Sequence, residues 1–105
     1  MNKKDLINYI MEQYDIKDQN QYKQKLKFIT DSVNIFFDSI KKALLDGDRV
    51  DIRGFGTFFV KKHDSYEGRN PRTGEKVFVE EKLTPCFRPG KKFKNFINGL
   101  EQNAD

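Results

Sequence analysis

Seven consecutive residues, Gly68-Arg69-Asn70-Pro71-Arg72-Thr73-Gly74, combine types that can do work on a polyanion. Proline has a fixed φ and no N–H, so it makes a stiff, apolar point. Arg69 and Arg72 flank it, and guanidinium groups suit phosphate oxygens or a narrow minor groove. A rigid apolar wedge between cations is the chemistry needed to part stacked base pairs. Loop stability alone does not call for this set. The stretch lies between the β-type runs Thr57-Phe58-Phe59-Val60-Lys61-Lys62 and Lys76-Val77-Phe78-Val79, so it reads as a hairpin tip. Lys61, Lys62 and Lys76 extend the cations toward that tip as one basic track. The bland alternative is a solvated charged face.

Further cations sit where helices are expected to begin. Lys3 and Lys4 open the first, and Lys91, Lys92 and Lys94 open the last. A cation in a first helical turn opposes the helix dipole, and a bound anion reverses that sign. Phosphate is the natural candidate. Asp51 and Arg53 stand two apart on one strand face, a spacing that lets them pair and aim Arg53 toward a groove.

No enzyme-like constellation accompanies these residues. His63 is the only histidine and Cys86 the only cysteine, so neither a structural zinc set nor an intramolecular disulfide is expected. A reducing cytoplasm fits this cysteine usage. Cys86, between Pro85 and Phe87, reads as packed. No phosphate loop of the Walker type occurs, and Gly54-Phe55-Gly56 is too short for a dinucleotide fingerprint. The expectation is no catalytic residue, no metal and no cofactor.

The whole chain has 105 residues and a net charge of +4, which suits one small domain with a modest core. The charge is unevenly spread. From Arg49 to Phe96 there are 12 Lys and Arg against 6 Asp and Glu; the rest holds 8 against 10. The basic character therefore belongs to the strand-rich and C-terminal part and points to a polyanion on that side. No run approaches the ~20 apolar residues of a membrane span, and Met1 to Asp5 lead into a helix without the apolar core of a secretory signal.

These residues need elements to carry them. The first helix is expected from Lys3 to Tyr14, with Asn2 as N-cap and Asp5 reaching back in a capping box. Ile7, Ile10, Met11 and Tyr14 fall on one face. After a polar break at Asp15–Asn20, a second helix is expected from Gln21 to Asp46, with Gly47 as its stop. Leu26, Ile29, Val33, Phe36, Phe37, Ile40 and Leu44 recur along it at steps of three and four. Such a helix is roughly 35–40 Å long. So broad a stripe needs more cover than one short helix supplies, which argues for a partner chain. Two shorter helices with a kink near Phe28 are the alternative.

From Arg49 the period becomes two, and Val50 and Ile52 mark a half-buried strand. Gly54 and Gly56 suggest a tight turn that sends Phe55 inward. A second strand starts at Thr57. A third returns after Gly74 and runs toward Phe87, with Pro85 suited to an edge. Arg88-Pro89-Gly90 ends the sheet. A short helix from Lys91 presents Phe93, Phe96 and Ile97. Gly99 to Asp105 reads as a frayed tail.

With these blocks assembled, the chain resembles the bacterial histone-like HU/integration host factor family. The matching blocks are Met1-Asn2-Lys3 with Leu6-Ile7-Asn8, then Arg53-Gly54-Phe55-Gly56-Thr57-Phe58, then the Gly68–Gly74 tip, then Pro85-Cys86-Phe87-Arg88-Pro89-Gly90-Lys91. The resemblance implies an α+β fold: an intertwined dimer with a helical base, an antiparallel β-saddle, two extended β-hairpin arms and a short C-terminal helix. The implied layout is a single DNA-binding domain over 1–98 and a flexible tail over 99–105. Within the domain, 1–46 form the helical dimerisation base, 47–90 the saddle with the arm at about 61–78, and 91–98 the last helix.

The resemblance also implies roles. Pro71 would insert between base pairs from the minor groove, with Arg69, Asn70 and Arg72 on the groove and backbone. Lys61, Lys62 and Lys76 would line the arm. Lys3, Arg53, Lys91 and Lys94 would hold phosphates on the body. Phe36, Phe37, Ile40, Phe55, Phe58 and Phe87 would form the dimer core. The partner would be double-stranded DNA, preferably bent, nicked or flexible, in the bacterial nucleoid. The second subunit would be an identical copy or a paralogue.

Two features depart from the family pattern. The segment from Lys17 to Phe28 is longer, and His63, Tyr66 and Glu67 stand where more basic residues are expected. The run Arg49–Phe58 leans toward integration host factor, yet the residues do not decide between a site-preferring and a generic binder. Three rivals remain in view: an RNA-binding or ribosome-associated basic module, a dimeric scaffold gripping a protein, and, more distantly, a hydrolase or transferase.

Overall fold

A computed structural model describes residues 1–99; the expected tail lies, beyond Gly99, outside the described residues. Among the described residues the fold is α+β, with three helices and five antiparallel strands. The chain divides into two units, Met1–Lys41 and Lys42–Asp105, and each has its own organisation.

In the first unit, α1 spans Lys3–Glu12 and α2 starts at Gln19. The capping box forms: Asp5 N–H donates to Asn2 Oδ1 at 2.9 Å and Asn2 N–H to Asp5 Oδ2 at 3.1 Å. α1 stops before the expected Tyr14. The N–H groups of Gln13 and Tyr14 turn back to Ile10 and Met11, three residues behind, and so close the helix with a tighter turn. α2 begins before the expected Gln21 because Asp18 caps it. Its Oδ1 accepts from Asn20 N–H at 2.8 Å and Gln21 N–H at 3.0 Å. Ile7, Met11 and Ile29 form the buried cluster, with Ile10, Ile16, Leu26 and Val33 packed on it.

α2 runs unbroken from Gln19 to Leu45, 27 residues, so it is one helix across Phe28. It ends in a Schellman arrangement. Asp48 N–H reaches Ala43 O at 2.9 Å, Gly47 N–H reaches Leu44 O at 3.1 Å, and Gly47 takes φ +85°.

In the second unit, β1 (Val50–Ile52), β2 (Gly56–His63) and β5 (Lys82–Pro89) form a sheet in the order β1-β2-β5. β3 (Tyr66–Arg69) and β4 (Lys76–Val79) form a separate two-stranded ladder. α3 covers Lys91–Ile97. The turn between β1 and β2 is closed by Phe55 N–H to Ile52 O at 2.9 Å. It needs the φ of +82° at Gly54.

Gly56 serves a different purpose. A Cβ there would sit 2.5 Å from Arg88 O and 2.6 Å from the Phe87 ring. The close approach lets Phe55, Phe58, Phe87 and Phe93 pack as one aromatic cluster, with centroids 4.8 Å apart for Phe58–Phe87 and 4.9 Å for Phe55–Phe93. Gly56→Ala is expected to cost about 2 kcal/mol of stability through overpacking. Urea unfolding would show this as a lowered midpoint; an unchanged midpoint would contradict the tight contact.

The return strand is not the single run expected toward Phe87. It breaks at Glu80 and Glu81, and the outbound strand breaks at Asp64 and Ser65. The register nonetheless continues, because His63 pairs with Lys82 below the gap and Tyr66 with Val79 above it. Equal gaps of two residues put Asp64 across from Glu81. Like charges directly opposite weaken a ladder, which accounts for the interruption.

Candidate nucleic-acid interface

The tip is built by backbone bonds that close a loop over Asn70–Glu75, with Pro71, Arg72 and Thr73 as its turn residues. Asn70 N–H donates to Glu75 O at 2.8 Å, and Gly74 N–H donates to Asn70 O at 2.7 Å. Gly74 takes φ +72° to make that turn. Asn70 Oδ1 accepts from Arg72 N–H at 2.9 Å, so the Asn70 side chain bridges over Pro71. Thr73 Oγ1 accepts from Glu75 N–H at 3.3 Å, and Arg69 Nη1 reaches Gly74 O at 3.4 Å. Pro71, Arg72 and Thr73 are exposed. The last paired residues of the ladder are Arg69 and Lys76, so two cations stand below the wedge on one face.

Alternation sorts the hairpin into two faces, because residues paired across a ladder share a face. One face carries Phe58 with Phe87, Val60 with Pro85, Tyr66 with Val79, and Val77. It continues the aromatic cluster and is apolar. The other carries Arg88, Lys61, His63 with Lys82, and Arg69 with Lys76. Arg88 lies over the Phe59 ring at 4.9 Å and covers the one large apolar group at the base of this face.

This sorting separates the sequence-predicted cations. Lys61 and Lys76 share the basic face with Arg69. Lys62 does not: it lies on the apolar face and pairs with Glu81 at 3.4 Å. The expected continuous basic track is thus corrected by strand alternation: Lys61, Arg69 and Lys76 share the outer face, Lys62 does not, and Glu67 lies between them on that face. Lys82 and Arg88 were not singled out from sequence, although their pairing positions opposite His63 and Thr57 place them on that face.

Other expectations also change. Asp51 pairs with Arg49 at 3.4 Å, not with Arg53, which stands in the turn after β1. Thr57 Oγ1 also donates to Asp51 at 2.5 Å. The Thr57 hydroxyl first, with the Arg49 guanidinium adding to it, holds the Asp51 carboxyl below its ordinary value, against desolvation that pushes the other way. Arg53 is exposed and owes its direction to the turn.

Lys94 falls in the last turn of α3, where a cation suits the dipole, rather than in its first turn. Lys91 is exposed at the start of α3, behind Gly90, which offers no side-chain cap. The start of α1 already holds its own carboxylate, Asp5. Lys3 is turned to α2 by a 2.7 Å hydrogen bond from Nζ to Asn34 Oδ1.

The expected dimer-core residues behave in three ways. Ile40 is buried. Phe55, Phe58 and Phe87 share the aromatic cluster, with Phe55 still 40% and Phe87 37% exposed. Phe36 and Phe37 meet edge to face, yet 51% of Phe36 and 39% of Phe37 face outward. They line a hollow of about 310 Å³ with Leu6, Tyr9, Ile10, Ser32 and Val33. Among the described residues, no group of three or more His, Cys, Asp or Glu side chains could hold a metal. No helix there is long and apolar enough to cross a membrane.

Comparison with known proteins places this geometry. The sequence model for bacterial DNA-binding proteins matches residues 1–98. HU from Anabaena, crystallised with DNA, is 31% identical over 92% of this chain and 97% of its own, with a TM-score of 0.65. A mutant HU from Thermotoga maritima is 29% identical over 92% of this chain and 99% of its own, with a TM-score of 0.55.

Proposed function

The chain belongs to the HU family of bacterial DNA-binding proteins, and on that premise we propose that it bends DNA by driving Pro71 into the minor groove. The family is architectural and non-enzymatic, and DNA is its partner. The observation that carries the finer reading is the tip itself. Pro71 is exposed in the turn of a loop closed by backbone bonds, with Arg69 and Lys76 as the last pair of the ladder that carries it. A wedge must be stiff, apolar and uncharged, and it must be carried on cations that offset the phosphates.

The acting unit is a dimer, most simply of two identical chains. Support comes from the outward-facing Phe36 and Phe37 and the apolar hollow beside them, which a second helical base would cover. Lys61, Lys82 and Arg88 then hold phosphates along the outer face of the sheet, joined by Arg53, Lys91, Lys94 and Lys3 on the body. Recognition runs through phosphate positions and duplex shape, so sequence preference is low and bent, nicked or flexible DNA is favoured. Such a protein works in the bacterial nucleoid.

Salt tests the phosphate contribution. Six or more neutralised phosphates imply a loss of about 10³-fold or more in affinity between 50 and 200 mM salt. A gel-shift series across that range should show this fall. A flat response would contradict the reading and favour a scaffold that grips protein.

A further inference from the structure

The basic face of the hairpin is interrupted. Between the cations at Lys61 and Lys82 and those at Arg69 and Lys76 lie Glu67, opposite Phe78, and Glu80, across the gap from Ser65. Both glutamates are exposed, and neither has an ion-pair partner among the described residues. Their neighbour Glu81 differs, being on the other face and bonded to Lys62. Six residue steps lead from His63 to Arg69, roughly 20 Å at the 3.3–3.4 Å per residue of extended chain. The arm therefore presents positive, negative and positive zones in sequence toward whatever its outer face touches.

We propose that Glu67 and Glu80 determine specificity by turning the arm away from narrow minor grooves and toward grooves already opened by a kink or nick. The inference rests on the reading that the arm enters the minor groove. A narrow groove, as in A-tracts, concentrates negative potential. The enhancement that attracts Arg69 and Lys76 repels carboxylates lying between the same walls. These carboxylates would be well within a Debye length, about 8–10 Å, of the groove phosphates. A widened groove relaxes the repulsion while leaving the tip and base cations in place. A fully cationic arm would discriminate less.

The test uses the full chain and two duplexes of equal length, one with a central A-tract and one with a central nick, read by fluorescence anisotropy at fixed salt. Wild type should prefer the nicked duplex. Glu67→Gln combined with Glu80→Gln should gain about tenfold on the A-tract duplex and far less on the nicked one. The preference should shrink accordingly. Glu12→Gln combined with Asp15→Asn removes the same charge from exposed positions outside the arm and should leave the ratio unaltered. The proposal is overturned if wild type shows no preference, if the first double variant keeps the wild-type ratio, or if the second changes it equally. Failure of wild type to bind either duplex would overturn the DNA-bending reading itself, a result distinct from those three.

Discussion

Pro71→Ala should leave a folded, DNA-binding protein that has lost most of its ability to bend the duplex. None of the bonds that close the tip uses an atom of Pro71: the Asn70–Glu75, Asn70–Gly74 and Asn70–Arg72 contacts all survive the exchange. Arg69, Arg72 and Lys76 also remain, so phosphate attraction persists. What disappears is the stiff ring. Opening one base step costs a few kcal/mol, and alanine supplies less apolar surface to replace the lost stacking. Ligase-catalysed circularisation of a short duplex should therefore fall at least about tenfold relative to wild type, since each 1.4 kcal/mol is a factor of ten. Equal circularisation by the two proteins would remove the wedge role while leaving the family assignment intact.

Phe36→Asp should dissolve the assembly. Phe36 stands half outward on the long helix beside an apolar hollow, and the buried cluster of its unit is small. A small domain with so few buried residues relies on a partner for cover. An aspartate placed in that contact would bury an unpaired charge at a cost of several kcal/mol. Wild type should sediment near twice the 12.4 kDa chain mass. The variant should sediment as a monomer and lose helical signal at the same concentration. A wild-type protein that stays monomeric at micromolar concentration would contradict the dimer, and a dimeric variant would move the interface elsewhere.

Much of the architecture was legible because local rules and packing agree. Asn2 and Asp5 spell a capping box, and Gly47 marks a helix stop where a Schellman turn forms. The tip was legible for the same reason: Asn70, Pro71 and Gly74 are turn residues with few alternative uses. The capping role of Asp18 was missed because a second aspartate, Asp15, and an asparagine, Asn20, compete for it in the same polar stretch.

The site was harder to read where it depends on pairing. Lys61 and Lys62 look equivalent in the chain, yet strand alternation puts them on opposite faces, and only the register with Leu83 and Thr84 decides which is which. Asp51 has arginines two residues away on both sides. Thr57, across the strand, gathers it toward Arg49, a choice no spacing contains. The break at Asp64 and Glu81 likewise needs the two strands side by side, because the repulsion is between residues 17 positions apart.

Deformation of the duplex is the central property to test. The most direct measurement is energy transfer between dyes at the two ends of a short nicked duplex, followed as wild-type protein is added to saturation, with binding monitored in the same sample. The ends should draw together in step with occupancy, to a plateau reached by one dimer per duplex. Full occupancy with the end-to-end distance unchanged would show a protein that coats DNA without bending it, and would contradict the central claim.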